Sequence, residues 1–422
     1  MGRRPGEVQE RLSRLRAAGL PTSSAELNTW YSAVPDSENA ATLFLAAASG
    51  LRSVSVPGLE LAFTSRASRT NGVTERLLTA NRAYLATNAA ALRAIHAALQ
   101  HPRSRYPINL SAGVLTTLPH LSSIKGYAQQ LGVCAEMAAE CGQPELASQC
   151  LLDALRLSRT LQNEPTVISF LVTIACEAIT TGSAERVFHH IRFTSEQLAE
   201  FQTEFSTAAS EFSYAPAMTG ELCMNLDAFR LPAGRQFQSF VMAGGANTGI
   251  GLENFVIWLY SASGLQNRDL AVMVNFYDRS RELAALSPTK RRVESEKLNA
   301  EVEKRFRSQF IPVARMMLPA LFKVEAKTTR QYAVLRCAEV ACAVERWRQA
   351  HGGALPESLD ALVPAYLAAV PEDPMDGRPL KFKPRPRGFV VYSIGEDGTD
   401  DGGAPRKSGS NKPWDYTFVV DR

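Results

Sequence analysis

The chain has 422 residues, 45% of them hydrophobic and 21% charged, with a formal net charge of +4. That length accommodates more than one domain with its own buried core. Lys and Arg are interleaved with acids, which leaves no electrostatic footprint for a nucleic-acid partner. The seven cysteines form no C-x-x-C pair, and no histidine stands at finger spacing. They read as small buried hydrophobes, with neither a zinc site nor a disulfide framework. No run of about 18 apolar residues marks a membrane span, and the stretch Phe255–Gly264 is too short for one. Residues 1–5 enter an amphipathic segment without the apolar core of a signal peptide. These features leave two expected locations, the cell envelope if a membrane anchor lies upstream of this stretch and the cytoplasm if none does.

In chain order, Val8, Leu12 and Leu15 sit at helical spacing until Gly19-Leu20-Pro21 stops them. Thr22-Ser23-Ser24 caps a second helix and Asp36-Ser37-Glu38 opens a third. Residues 49–71 lose the pattern, and the weak alternation of Val54, Val56, Leu59, Leu61 and Phe63 suggests an extended connection. A long helix follows to Leu99, with His96 and His101 at its end as surface caps on the helix dipole. Gly142-Gln143-Pro144 separates two further helices, Pro144 being placed to start the second. This pair resembles a tetratricopeptide-type hairpin, with Ala147 and Ala154 where helices cross closely. Arg159 stands at the usual proline position and no second copy follows at the repeat period, so a hairpin is expected without a repeat array.

Pro165–Val187 is the most apolar helix and is expected at the centre of the core. His189 and His190 are adjacent, so they diverge by about 100° and do not share a metal. The glycine-rich segment Gly244–Gly251 lacks the P-loop lysine and fails G-x-G-x-x-G, which makes it a turn before a helix at Glu253. Ser287-Pro288 opens a strongly charged helix. Pro312 and Pro319 mark bends, and from about Leu321 a polar helix runs to His351-Gly352-Gly353.

Beyond it come a Pro-rich connector and short strands around an acidic, glycine-rich loop. The matching residues include Leu355-Pro356, Pro371, Asp373-Pro374, Gly377, Pro379-Leu380, Tyr392-Ser393, Gly395, Asp397-Gly398, Asp400-Asp401-Gly402-Gly403 and Asp415. In these the tail resembles the C-terminal region of the major pseudopilin of type II secretion, the general secretion pathway G family. The family's N-terminal apolar helix does not directly precede this module. The expected fold class is α+β: an all-α region of helical hairpins over 1–312, a long connecting helix over 313–351 and a pseudopilin-like antiparallel β module over 352–422.

The resemblance implies a calcium site in the loop before the last strand, with Ser393, Asp397 and Asp400 as side-chain ligands and Asp401 as the alternative to Asp400. The residues agree with it independently. Glu396, Asp397, Asp400 and Asp401 repel one another, a hard divalent cation would relieve that through oxygen ligands, and the glycines let the backbone curl. Asp373-Pro374 and Asp376-Gly377 read as consecutive turns.

The function expected from this pattern is a non-enzymatic protein of the periplasm or cell envelope. Its calcium-stabilised module would act in protein–protein contact, with no nucleic acid involved. Two alternatives stand beside it. One is a helical scaffold that binds a peptide or partner protein, and the other is a hydrolase whose residues carry no motif, since G-x-S-x-G, H-E-x-x-H and a Cys–His pairing are all missing.

Overall fold

A computed structural model describes residues 5–52, 75–231, 260, 263–404 and 414–422. The alternating stretch Val54–Phe63, the glycine-rich segment Gly244–Gly251 and most of Phe255–Gly264 lie outside the described residues.

The helices are α1 (Pro5–Ala17), α2 (Ser24–Trp30), α3 (Ala40–Ala48), α4 (Glu75–Ala98), α5 (His120–Glu140), α6 (Pro144–Arg159), α7 (Val167–His190), α8 (Ser195–Ser210), α9 (Ala215–Arg230), α10 (Leu265–Leu283), α11 (Pro288–Ser308) and α12 (Pro312–Ala350). Three strands close the chain: β1 (Lys381–Arg385), β2 (Gly388–Ser393) and β3 (Tyr416–Asp421). The fold is α+β, mostly helical, with one small antiparallel sheet at the C-terminus.

Local chemistry sets the helix starts. Asn39 accepts from Ala41 N to cap α3, Thr166 from Ser169 N to cap α7, and Thr194 with Gln197 forms a capping box on α8. Prolines occupy the first turn of α6, α11 and α12, where a missing N–H costs nothing. The expected hairpin is α5–α6: Gly142 turns at φ 66° and Ala147 and Ala154 are fully buried at the crossing.

Two apolar clusters form the interior. One joins α5–α8, the middle of α12 and the sheet residues Phe389, Val391, Phe418 and Val420. The other gathers α1, α9, α10, α11 and the first halves of α7 and α12. Both α7 and α12 thus run through both clusters. Among the described residues, α7 alone is long and apolar enough to cross a membrane, and more than half of its most apolar window is buried inside the fold.

The long connecting helix differs from its sequence reading in two respects. It begins at Pro312 and continues through Pro319 instead of starting near Leu321. It is also no polar linker, because Leu335, Cys337, Ala338 and Val340–Val344 are fully buried. Its charges pair along its own surface and with the chain end: Arg336 with Glu339 at 2.7 Å, Arg348 with Glu345 at 2.8 Å, and Arg422 with Glu345 at 2.9 Å. Paired charges let a polar-looking sequence occupy the interior. All seven cysteines are free, and all but Cys141 are buried.

The sheet has order β1-β2-β3, both pairings antiparallel. One face packs on α12 and α7. The other carries Val390, Tyr392 and Val419, and Gly403 of the acidic loop lies so close that a Cβ there would stand 2.9 Å from both Tyr392 and Val390. The free edge of β3 is closed by α7: Val419 N donates to Glu185 Oε1 at 2.9 Å and Asp421 N to His189 Nδ1 at 3.0 Å. Side chains thereby cover an edge that would otherwise template further pairing. The β1 edge carries Lys381, Lys383, Pro384 and Arg385, residues that discourage strand addition.

His96 is no simple surface cap. Its Nδ1 lies 2.9 Å from Oδ1 of Asp153 on α6, whose side chain is 6% exposed. Burial raises the Asp153 carboxyl to about 6, against the opposing effects of His96 and Arg156. The folded state therefore holds this proton more tightly than the unfolded chain. Its stabilising contribution is complete below about pH 4 and is lost as pH rises through about 6. Melting temperatures between those limits should show the decline, and Asp153→Asn should flatten it by an amount on the order of 1–3 kcal/mol. An unchanged slope in the variant would assign the titration elsewhere.

Candidate functional site

The acidic loop leaves β2 at Ser393 and returns at Asp415. Gly395 (φ 75°) makes the first turn, and a Cβ there would meet Trp414 O at 2.3 Å, so only glycine lets the two ends of the loop approach. Gly398, Gly402 and Gly403 also adopt positive φ and fold the loop back over the sheet.

Of the expected ligands, Ser393 stands apart. It is fully buried, and its hydroxyl donates to Asp373 Oδ1 at 2.8 Å. Asp373 also accepts from Met375 N and Ile394 N, each at 2.9 Å, so this carboxylate joins the connector turn to the end of β2. Asp397 is exposed and accepts from Thr399 N at 3.1 Å, bracing its own turn. Asp400 accepts from Gly402 N at 2.9 Å and lies 3.5 Å from Lys381 Nζ. Burial presses its carboxyl upward but is outweighed by the Gly402 amide, the Tyr392 hydroxyl and Lys381, which together leave it below the ordinary carboxylate value. Glu396 accepts from Tyr416 Oη at 2.7 Å.

The carboxylate on which the loop converges is Asp415, a residue inside the family resemblance but outside the expected ligand set. It is 1% exposed, its Oδ2 accepts from Gly403 N at 2.8 Å, and its Oδ1 has no hydrogen-bond partner. Burial raises its carboxyl, the Gly403 and Asp401 amides oppose this, and the charges of Asp400 and Asp401 add to it. In the sequence Asp415 is marked only by the resemblance, and its burial depends on the returning loop.

As donors, Asp415, Asp400 and Asp401 supply the oxygen ligands a hard cation takes, and the partnerless buried Oδ1 suits one such position. Ser393 does not fit, since its hydroxyl is committed to Asp373. Among the described residues, no three His, Cys, Asp or Glu side chains already stand together as a metal cage.

One other grouping has the residue types of a catalytic triad. Ser169 donates to Glu164, and His120 Nε2 lies 3.0 Å from Glu164 Oε2, the imidazole stacked on Tyr106 at 4.3 Å. The carboxylate sits between serine and imidazole, so the histidine has no contact with the hydroxyl it would need to deprotonate. All three side chains are buried. The grouping instead ties the start of α5 to the cap of α7.

No family model, no curated protein and no solved structure matches this chain.

Proposed function

We propose that the chain is a non-enzymatic protein of the cell envelope, in which a helical body presents a small pseudopilin-like module for contact with another protein and calcium ties the acidic loop to the sheet. The observation that carries this reading is the buried, partnerless Oδ1 of Asp415 beside Asp400 and Asp401. The placement of α12 along β2 and β3, a long helix leading into a three-stranded antiparallel sheet, supports it as well. The ion's part is structural: it neutralises repulsion in the loop and stabilises the folded chain through its binding free energy.

Calcium titration tests the reading. At a concentration a hundredfold above its Kd, calcium should stabilise the protein by about 2.7 kcal/mol. Terbium in the same site should emit on excitation of Trp414, the neighbour of Asp415. Asp415→Asn should abolish both signals, and Ser393→Ala should leave the ion response in place. A melting temperature and terbium emission that ignore saturating ion would remove the metal from the proposal. Recovery of the native chain only from the soluble cytoplasmic fraction would remove the envelope.

A further inference from the structure

The β3 edge that α7 closes at Val419 and Asp421 is open one step earlier. At Thr417 the faces of α7 and α12 part around the start of the strand and leave a cavity of about 350 Å³ that is half open to solvent, within the size range of small-molecule sites. Its walls are largely apolar: Ile174 and Ala178 from α7, Val334 from α12 and Phe418 from β3.

Three donors of α12 line the same space at i, i+3 and i+4, namely Lys327, Arg330 and Gln331. Gln331 is 3% exposed and its Nε2 has no acceptor, an uncommon state for a buried amide. The Arg330 guanidinium is held over the rings of Trp414 and Tyr416, 5.5 and 5.3 Å from their centroids. It enters no salt bridge among the described residues, and the acid at the same tyrosine is Glu396, which accepts from the Tyr416 hydroxyl at 2.7 Å. The one carboxylate on the lining, Glu185, belongs to the inner end. Its Oε1 accepts from Val419 N at 2.9 Å, which holds it against the β3 edge.

We propose that this cavity binds a small organic anion, a carboxylate or sulfonate carried on an apolar body. The charged head lies at Lys327 and Arg330 and accepts from Gln331 Nε2, while the body packs on Ile174, Ala178, Val334 and Phe418. The site is independent of calcium and of the envelope role.

The test is a fluorescence titration of the full chain with 8-anilinonaphthalene-1-sulfonate, competed with octanoate and with octanol. Saturable emission, displaced by octanoate and not by octanol, is the expected result. The double variant Lys327→Gln/Arg330→Gln should weaken binding by about tenfold or more. Ala178→Trp, at an exposed wall position, should fill the cavity and abolish binding at an unchanged melting temperature. No saturable emission, equal displacement by octanol, or unaltered affinity in the double variant each overturns the proposal. Should the double variant fail to fold by circular dichroism, Ala178→Trp decides alone, and undiminished binding in it overturns the site.

Discussion

Asp373→Ala is expected to destabilise the protein by an amount on the order of 3–6 kcal/mol, because it strands three buried donors at once. Asp373 is 1% exposed and accepts from Met375 N, Ser393 Oγ and Ile394 N. Two of these are backbone amides that no rotamer change can turn toward water, and a buried amide without an acceptor bears its full desolvation cost. The Asn variant should lie between, since its carbonyl oxygen still accepts but its amide nitrogen presents a donor to a donor. Urea unfolding followed by far-UV circular dichroism measures the difference. A loss below about 1 kcal/mol for the alanine variant would mean that water replaces the carboxylate and that the turn is not held by it.

Arg291→Leu should have an effect of similar size for a different reason. Arg291 Nε donates to Glu325 Oε1 at 3.2 Å, and the two side chains are only 5% and 9% exposed. Thr329 Oγ1 donates to the same carboxylate oxygen at 2.6 Å, and Arg291 lies over the Tyr214 ring at 5.9 Å. Taking away the cation leaves a carboxylate in the interior of the α11–α12 packing, which costs about 3–5 kcal/mol when one partner of a buried pair is deleted. The pair is not fully satisfied even when intact, since Arg291 Nη2 and Glu325 Oε2 have no partners. The double variant Arg291→Leu/Glu325→Leu should therefore recover most of the loss. A double variant as unstable as the single one would show that the packing of these side chains, and not their charge, holds α11 on α12.

Several elements were legible because the signal is local. Gly142-Gln143-Pro144 announces the end of one helix and the start of the next, and α5–α6 follows it. The apolar run of α7 places it in the interior, and the glycine-rich acidic stretch marks the loop between the last strands. The limits of that legibility lie in the same elements. The charges of α12 read as those of a polar connecting helix, because a sequence does not disclose that Glu345 meets Arg348 and also Arg422 at the chain end. Adjacency argues against a metal shared by His189 and His190, but it does not disclose that His189 accepts from the amide of Asp421, 232 positions away.

The acidic loop divides in the same way. Its carboxylates, its glycines and its place before the last strand were all visible. Ser393 stands in the expected ligand set through the family resemblance alone, but a strand end has two sides, and its hydroxyl turns to Asp373 on the other. Asp415 is among the residues of the resemblance but not of the expected ligand set, and only the return of the loop over the sheet buries it.

By itself the sequence determined the α+β class, the order of helices before strands, the hairpin at Gly142 and the glycine-rich shape of the acidic loop, since each depends on backbone preference and periodicity over a few residues. Tertiary structure alone decided that the sheet shares a core with the helices, that Glu185 and His189 close its edge, that Asp415 is the loop's buried carboxylate and that α7 and α12 part around a cavity. Those features arise where segments hundreds of positions apart exclude water together, and burial of a polar group is a property of its neighbours in space.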